Sequence, residues 1–210
     1  MLEPTRGNWV ARLRRFTASP SPVIECCELC GAPIGSAHSH LLELEKRTLL
    51  CACEPCSFSL AESRRFRLVR PATEALEDFR LSDWEWEAMQ LPIDLVFLFH
   101  STPEGGAVAF YPGAGGAMAS AMSRDAWARL AAANPLLDAL SPDVEALLIN
   151  RVKGARRYYR VSIDRCYALV GLIRAHWKGF SGGDEVWNEI ALFFAALDEP
   201  DDQSRTLAHG

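Results

Sequence analysis

The chain has 210 residues, 49% of them hydrophobic and 23% charged, and a formal net charge of −5 from 22 Lys+Arg against 27 Asp+Glu. That composition excludes a disordered or fibrous chain and allows one domain of ordinary size or two small ones. A mildly acidic balance also argues against non-specific nucleic-acid binding.

Residues 1–22 carry Arg6, Arg12, Arg14 and Arg15, then the run Ala18-Ser19-Pro20-Ser21-Pro22. This reads as a basic arm followed by an extended linker. No apolar run follows the arginines, so no export signal is expected. The most apolar stretches, Leu95 to Phe99 and Ala168 to Ile173, fall far short of the roughly 18 residues that mark a membrane span. The expected location is cytoplasmic, where thiols stay reduced and clustered cysteines favour metal ligation over disulfides.

Residues 23–62 form a cysteine-rich module. Between its two cysteine clusters, Ser39 to Glu45 alternates in part and Arg47 to Leu50 follows, as in a short hairpin with ligands at its ends. Residues 63–198 read as an α+β body. Phe66 to Arg70 suits a strand. Ser82 and Glu85 have capping-box spacing before a short helix through about Gln90. Leu95 to His100 and Ala107 to Tyr111 flank a Gly-containing turn and make a hairpin, with Pro112 to Gly116 as a loop after it. Ser123 caps a helix from Arg124 to about Ala133, which Asn134-Pro135 ends. Val144 to Val152, ambiguous between strand and helix, can pair with Arg157 to Ile163. Asp164 to about Trp177 reads as a helix with Cys166, Val170 and Ile173 on one face. Gly179 to Gly183 breaks it. Asp184 to Leu197 is a last amphipathic helix, and residues 199–210 are a polar tail.

The cysteines carry the chemistry. Six of the seven, Cys26, Cys27, Cys30, Cys51, Cys53 and Cys56, crowd into one segment, and only Cys166 lies elsewhere. Cys27-Glu28-Leu29-Cys30-Gly31 is a knuckle: two thiolates two residues apart can bite one ion, and Gly31 frees the next turn to aim amides at sulfur. Cys53-Glu54-Pro55-Cys56 supplies a second pair. Cys27, Cys30, Cys53 and Cys56 are thus the expected ligands of a tetrahedral structural Zn2+, with mononuclear iron as the alternative. Cys51 can replace Cys53, and His38 and His40 on the connecting loop are further reserves. An iron–sulfur cluster also suits this many thiols. All eight donors would suffice for two ions, but roughly 31 residues leave little room for two interleaved tetrahedra. Cys166 reads as a buried apolar thiol.

A closed four-thiolate zinc does no chemistry, and no open zinc motif accompanies it. No catalytic constellation is visible, so an enzyme is not expected. The glycines at 105–106 and 113–116 read as turns, without the context of a phosphate loop. Trp84, Trp86, Trp177, Phe180 and Trp187 read as core or interface residues. Arg151, Lys153, Arg156, Arg157, Arg160 and Arg165, interleaved with Tyr158 and Tyr159, leave single-stranded nucleic acid as a lesser reading beside a solvated or protein-docking face. The fold class is therefore α+β: an N-terminal module of zinc-ribbon or rubredoxin-like type, followed by antiparallel hairpins packed with helices.

The run Cys-Glu-Leu-Cys-Gly-Ala-Pro at 27–33, His38 and His40, and Leu50 to Cys56 together resemble an uncharacterised bacterial protein family. So do Cys166 to Phe180, Gly182-Gly183 and Glu185-Val186-Trp187, and in the middle Val108 to Pro112 and Asp125-Ala126-Trp127. The resemblance runs from about residue 24 to 198. Members of that family, which has no established activity, are encoded beside high-affinity uptake nickel–iron hydrogenases. The resemblance implies an accessory or maturation role with a hydrogenase subunit or maturation factor as protein partner. Three functions follow: a structural zinc module that scaffolds a protein–protein contact, a rubredoxin-like iron electron carrier serving the hydrogenase, or a nucleic-acid-binding zinc-ribbon protein. Ser57, where a rubredoxin-like second knuckle would have glycine, counts against the second.

Overall fold

Strand alternation divides the apolar residues of this chain between the two faces of one sheet. A computed structural model describes residues 25–61, 63–113, 115–120, 122–178 and 182–199. In chain order these form β1 (Ser39–Glu43), β2 (Thr48–Ala52), α1 (Glu54–Leu60), β3 (Phe66–Val69), β4 (Thr73–Ala75), α2 (Asp83–Ala88), β5 (Leu95–Ser101), β6 (Gly106–Gly113), β7 (Gly116–Ser120) and α3 (Arg124–Ala133). Then come β8 (Glu145–Asn150), β9 (Arg157–Ser162), α4 (Ile163–His176) and α5 (Gly183–Asp198), with 3-10 turns at Pro135–Ala139 and Val152–Gly154. The basic arm, its linker and Phe180 lie outside the described residues.

The strands make two antiparallel sheets, β2-β1-β3 and β4-β9-β8-β5-β6-β7. In the larger sheet Leu95, Phe97, Phe99, Ala146, Leu148, Tyr159 and Val161 face α4 and α5. Val96, Leu98, Leu147, Ile149 and Tyr158 face the other way, onto α3, the 3-10 turn and the loop carrying Phe79 and Leu81. On α4, Cys166, Val170 and Ile173 are all buried, joined by Ile163 and Leu169; on α5, Val186, Ile190, Phe194 and Leu197 are buried. Buried Tyr159 donates its hydroxyl to Asp198 at 2.8 Å, which ties β9 to the end of α5.

The α+β class and most elements match the sequence reading, including both partners of the Ser82–Glu85 capping box. Two strands were missed. Pro112 to Gly116 was expected as a loop, but Pro112 and Gly113 belong to β6 and Gly116 opens β7 along its edge. β7 is an edge strand, and the end of β6 at Pro112 and Gly113 pairs with β7 but not with β5, so in both places one side needs no ladder bonds. β4 is three residues long and pairs only with β9. The ambiguous segment at 144–152 is a strand, since both its faces are covered.

The small sheet links the cysteine module to the body, because β1 presents different residues to each. Leu41 packs with Cys27, Ala52 and Phe66 inside the module. Leu42 and Leu44, with Val69 of β3, join the cluster under α4 and α5. No helix among the described residues is long and apolar enough to cross a membrane.

The turn from α4 into α5 requires glycine. Gly182 has φ +83°, and a Cβ there would meet Val186 Cγ1 at 2.7 Å and the Trp177 ring at 3.2 Å. Val186 is fully buried and cannot swing away. Gly182→Ala should therefore lower stability by about 1–3 kcal/mol, read from denaturant midpoints.

Candidate metal centre

The first knuckle is a tight turn closed by its own backbone. Gly31 N donates to Cys27 O at 2.8 Å, and Cys27 N donates to Ala32 O at 2.7 Å. Gly31, at φ +75°, reverses the chain where a side chain would be strained. The second pair is built differently from a loop knuckle. Cys53 is the N-cap of α1, Pro55 sits in the first turn and Cys56 follows it. Proline suits that position because the amide it lacks has no helical partner there. The hairpin β1–β2 and the first turn of α1 thus bring the two Cys pairs together.

The Sγ atoms of Cys27, Cys30, Cys53 and Cys56 all lie within 4.8 Å of one another, and Cys30 and Cys53 are 3.6 Å apart. Cys27 is buried, while Cys30 reaches solvent. The main-chain amide of Cys53 holds the Cys27 thiol down to about 6, and the amides of Leu29 and Cys30 add to it against burial. Cys56 is pushed up to about 12, first by its hydrogen bond with Cys53 and then by that with Cys30. One thiolate is welcome in this shell and a second is opposed by like charge. A cation at the centre removes that opposition, so the four expected ligands form a group that can hold a metal ion.

The reserve donors sit elsewhere. Cys51, His38 and His40 form a second group, with donor atoms again within 4.8 Å of one another. His40 Nδ1 lies 2.9 Å from Asp164 Oδ2, and that hydrogen bond raises the His40 pKa above the usual histidine value. Asp164 on α4 is a residue that reading the sequence did not connect to the module. Only its place in the first turn of a helix marked it. Cys26 belongs to neither group, and Cys166 is fully buried in the body, where desolvation raises its thiol well above the ordinary value.

The basic segment is largely engaged by acids. Arg151 and Arg156 both bind Asp83, the latter at 2.8 Å, and Arg157 binds Asp198. Arg160 Nη2 donates to both oxygens of Glu145 at 2.9 Å. Arg151 also lies over the Trp86 ring and Lys153 over Trp187. Of the aromatics expected in the core or at an interface, Trp86 packs on the core, whereas Trp84 is 66% exposed under Arg129. Ser123 caps α3 and His176 pairs with Glu185.

Fold and site thus define an α+β protein with a four-cysteine centre on an N-terminal knuckle–hairpin–helix unit. The chain belongs to the DUF5947 family, a family of unknown function, whose model matches residues 26–201. No curated protein matches the chain, and no solved structure matches it.

Cys30→Ser should lose the metal and unfold the module, whereas Cys26→Ser should keep both. Elemental analysis with near-ultraviolet circular dichroism distinguishes them, and stoichiometric metal retained in Cys30→Ser contradicts the ligand assignment. The Arg156 and Arg151 guanidinium groups lower the Asp83 pKa from the usual 3.8 to about 2. A lowered carboxylate stabilises the fold above its unfolded pKa and ceases to as pH falls through the folded one. Acid titration of Asp83→Asn should lack that part of the loss in stability between the two values.

Proposed function

We propose that the four-cysteine group holds a structural Zn2+ and that the protein is a hydrogenase-associated accessory factor, acting by protein–protein contact in assembly or maturation. The convergence of the four sulfurs carries this reading. A shell closed by four protein thiolates leaves no position for a substrate. The module is also too small to rely on its core: its buried cluster is Cys27, Leu41, Ala52 and Phe66. Metal binding in such a unit supplies folding free energy. The helix it begins holds Phe58 out at 84% exposure, and Leu29 of the first knuckle is 37% exposed. Apolar groups displayed on a rigid unit suit a protein partner. The nickel–iron hydrogenase as that partner rests on the sequence resemblance described above.

The second reading is a mononuclear-iron electron carrier. The amides of Cys53, Leu29 and Cys30 around Cys27 favour it, since such bonds stabilise thiolate charge and tune potentials. Anaerobic purification without added metal, then elemental analysis and a visible spectrum, separates the two. Zinc without colour is the expected result; iron with visible bands would replace the structural role by a redox one. Partnership is tested by co-expression with the hydrogenase subunits. Phe58→Glu should cut co-purification about tenfold or more with its metal content unchanged.

A further inference from the structure

We propose that His38, His40 and Cys51 form a second cation site, distinct from the four-cysteine centre, which takes a zinc-class divalent ion at the seam between module and body. Strand geometry assembles it. β1 and β2 pair so that His40 stands opposite Cys51. His38 is two residues before His40, on the same side of an extended chain. This is the sheet face that presents Leu42 to the body, opposite the face that presents Leu41 to the module core.

Each donor is held for ligation. His38 Nδ1 is 2.8 Å from Gly35 O, and a carbonyl only accepts, so Nδ1 carries the hydrogen. The neutral ring then has a bare lone pair on Nε2. That atom is buried and has no hydrogen-bond partner, on a side chain 10% exposed. Buried polar atoms are nearly always satisfied, and a cation satisfies this one. His40 gives Nδ1 to Asp164 Oδ2 at 2.9 Å, which leaves its Nε2 to ligate. A carboxylate behind the ring is the usual support of a metal-bound histidine. The two rings meet edge to face at 4.9 Å between centroids. Cys51 is anchored by Glu28, whose Oε2 accepts from Cys51 N at 2.6 Å and whose amide donates to Cys51 O at 2.9 Å.

Two imidazoles and one thiolate select zinc, cobalt or copper over magnesium and calcium. Three protein ligands leave a fourth position for water or a small ligand, unlike the closed four-cysteine shell. A groove of about 910 Å³ runs past His38 and His40, with Arg70 and Arg165 on its walls. Because Asp164 belongs to α4, metal at this site would join the module to the body.

The test uses the full chain, saturated with Zn2+ and freed of excess by gel filtration. About two zinc ions per chain are expected in the native protein and about one in His38→Asn/Cys51→Ala, since the two shells share no ligand. Asp164→Asn leaves every donor in place. It should weaken zinc at the second site about 10–100-fold against a chromophoric chelator, with the tighter ion unaffected. One zinc in the native protein that His38→Asn/Cys51→Ala still retains, or two retained in that variant, overturns the proposal. Cobalt substitution keeps the two centres apart. Failure of the second site leaves the intense tetrathiolate charge-transfer bands with one equivalent bound. Failure of the four-cysteine reading removes those bands and leaves the second site's equivalent intact.

Discussion

Charge repulsion among four thiols is the constraint around which the N-terminal unit is organised. Thiolates held within 4.8 Å of one another repel unless a cation lies between them, and hydrogen bonds push Cys27 down while holding the proton on Cys56. The residues that hold them there have a small core of their own and lean on the body through Leu42 and Leu44. A buried cluster of four side chains is small against the cost of ordering some forty residues of chain. The Gly31 turn, the β1–β2 hairpin and the start of α1 bring these sulfurs together, and Leu42 and Leu44 of the hairpin tie them to the body.

The body stands on different terms. Its six-stranded sheet is covered on both faces, and its core needs no metal. β1 joins the two regimes. Leu41 belongs to the cysteine unit, and Leu42 and Leu44 belong to the apolar layer beneath α4 and α5. The four-cysteine group comes from the knuckle turn and the start of α1, whereas His40 and Cys51 face each other across β1 and β2, so the two groups of donors are distinct.

Much of the fold was legible in local pattern. The apolar run from Leu95 to Phe99, capping at Ser82 and Ser123, and helical spacing at Val186, Ile190 and Phe194 each express a rule that acts within a few residues. β4 and β7 were not legible. Three residues of Thr-Glu-Ala carry no period, and Gly-Ala-Met-Ala-Ser around a proline and glycines looks like a turn. Both are strands because a neighbouring edge offers them hydrogen bonds. The arginines of 151–160 read as a solvated or protein-docking face, with nucleic acid as the lesser reading. Asp83, Asp198 and Glu145 bind most of them, and the first two lie tens of residues away in the chain.

The sequence by itself showed two Cys-x-x-Cys pairs, since cysteine spacing is a short-range property, and the β1–β2 hairpin brought the pairs together. The sequence also determined the α+β class and the faces of α4 and α5. Only the tertiary structure decided which residues lie behind the donors. Asp164 is more than a hundred positions from His40 yet meets its ring at 2.9 Å. The packing of β1 against α4, not any local signal, brings that carboxylate to the histidine. Sequence spacing reports the contacts a chain makes with its own neighbourhood, and long-range pairing is chosen by burial of apolar surface that many sequences would satisfy equally well.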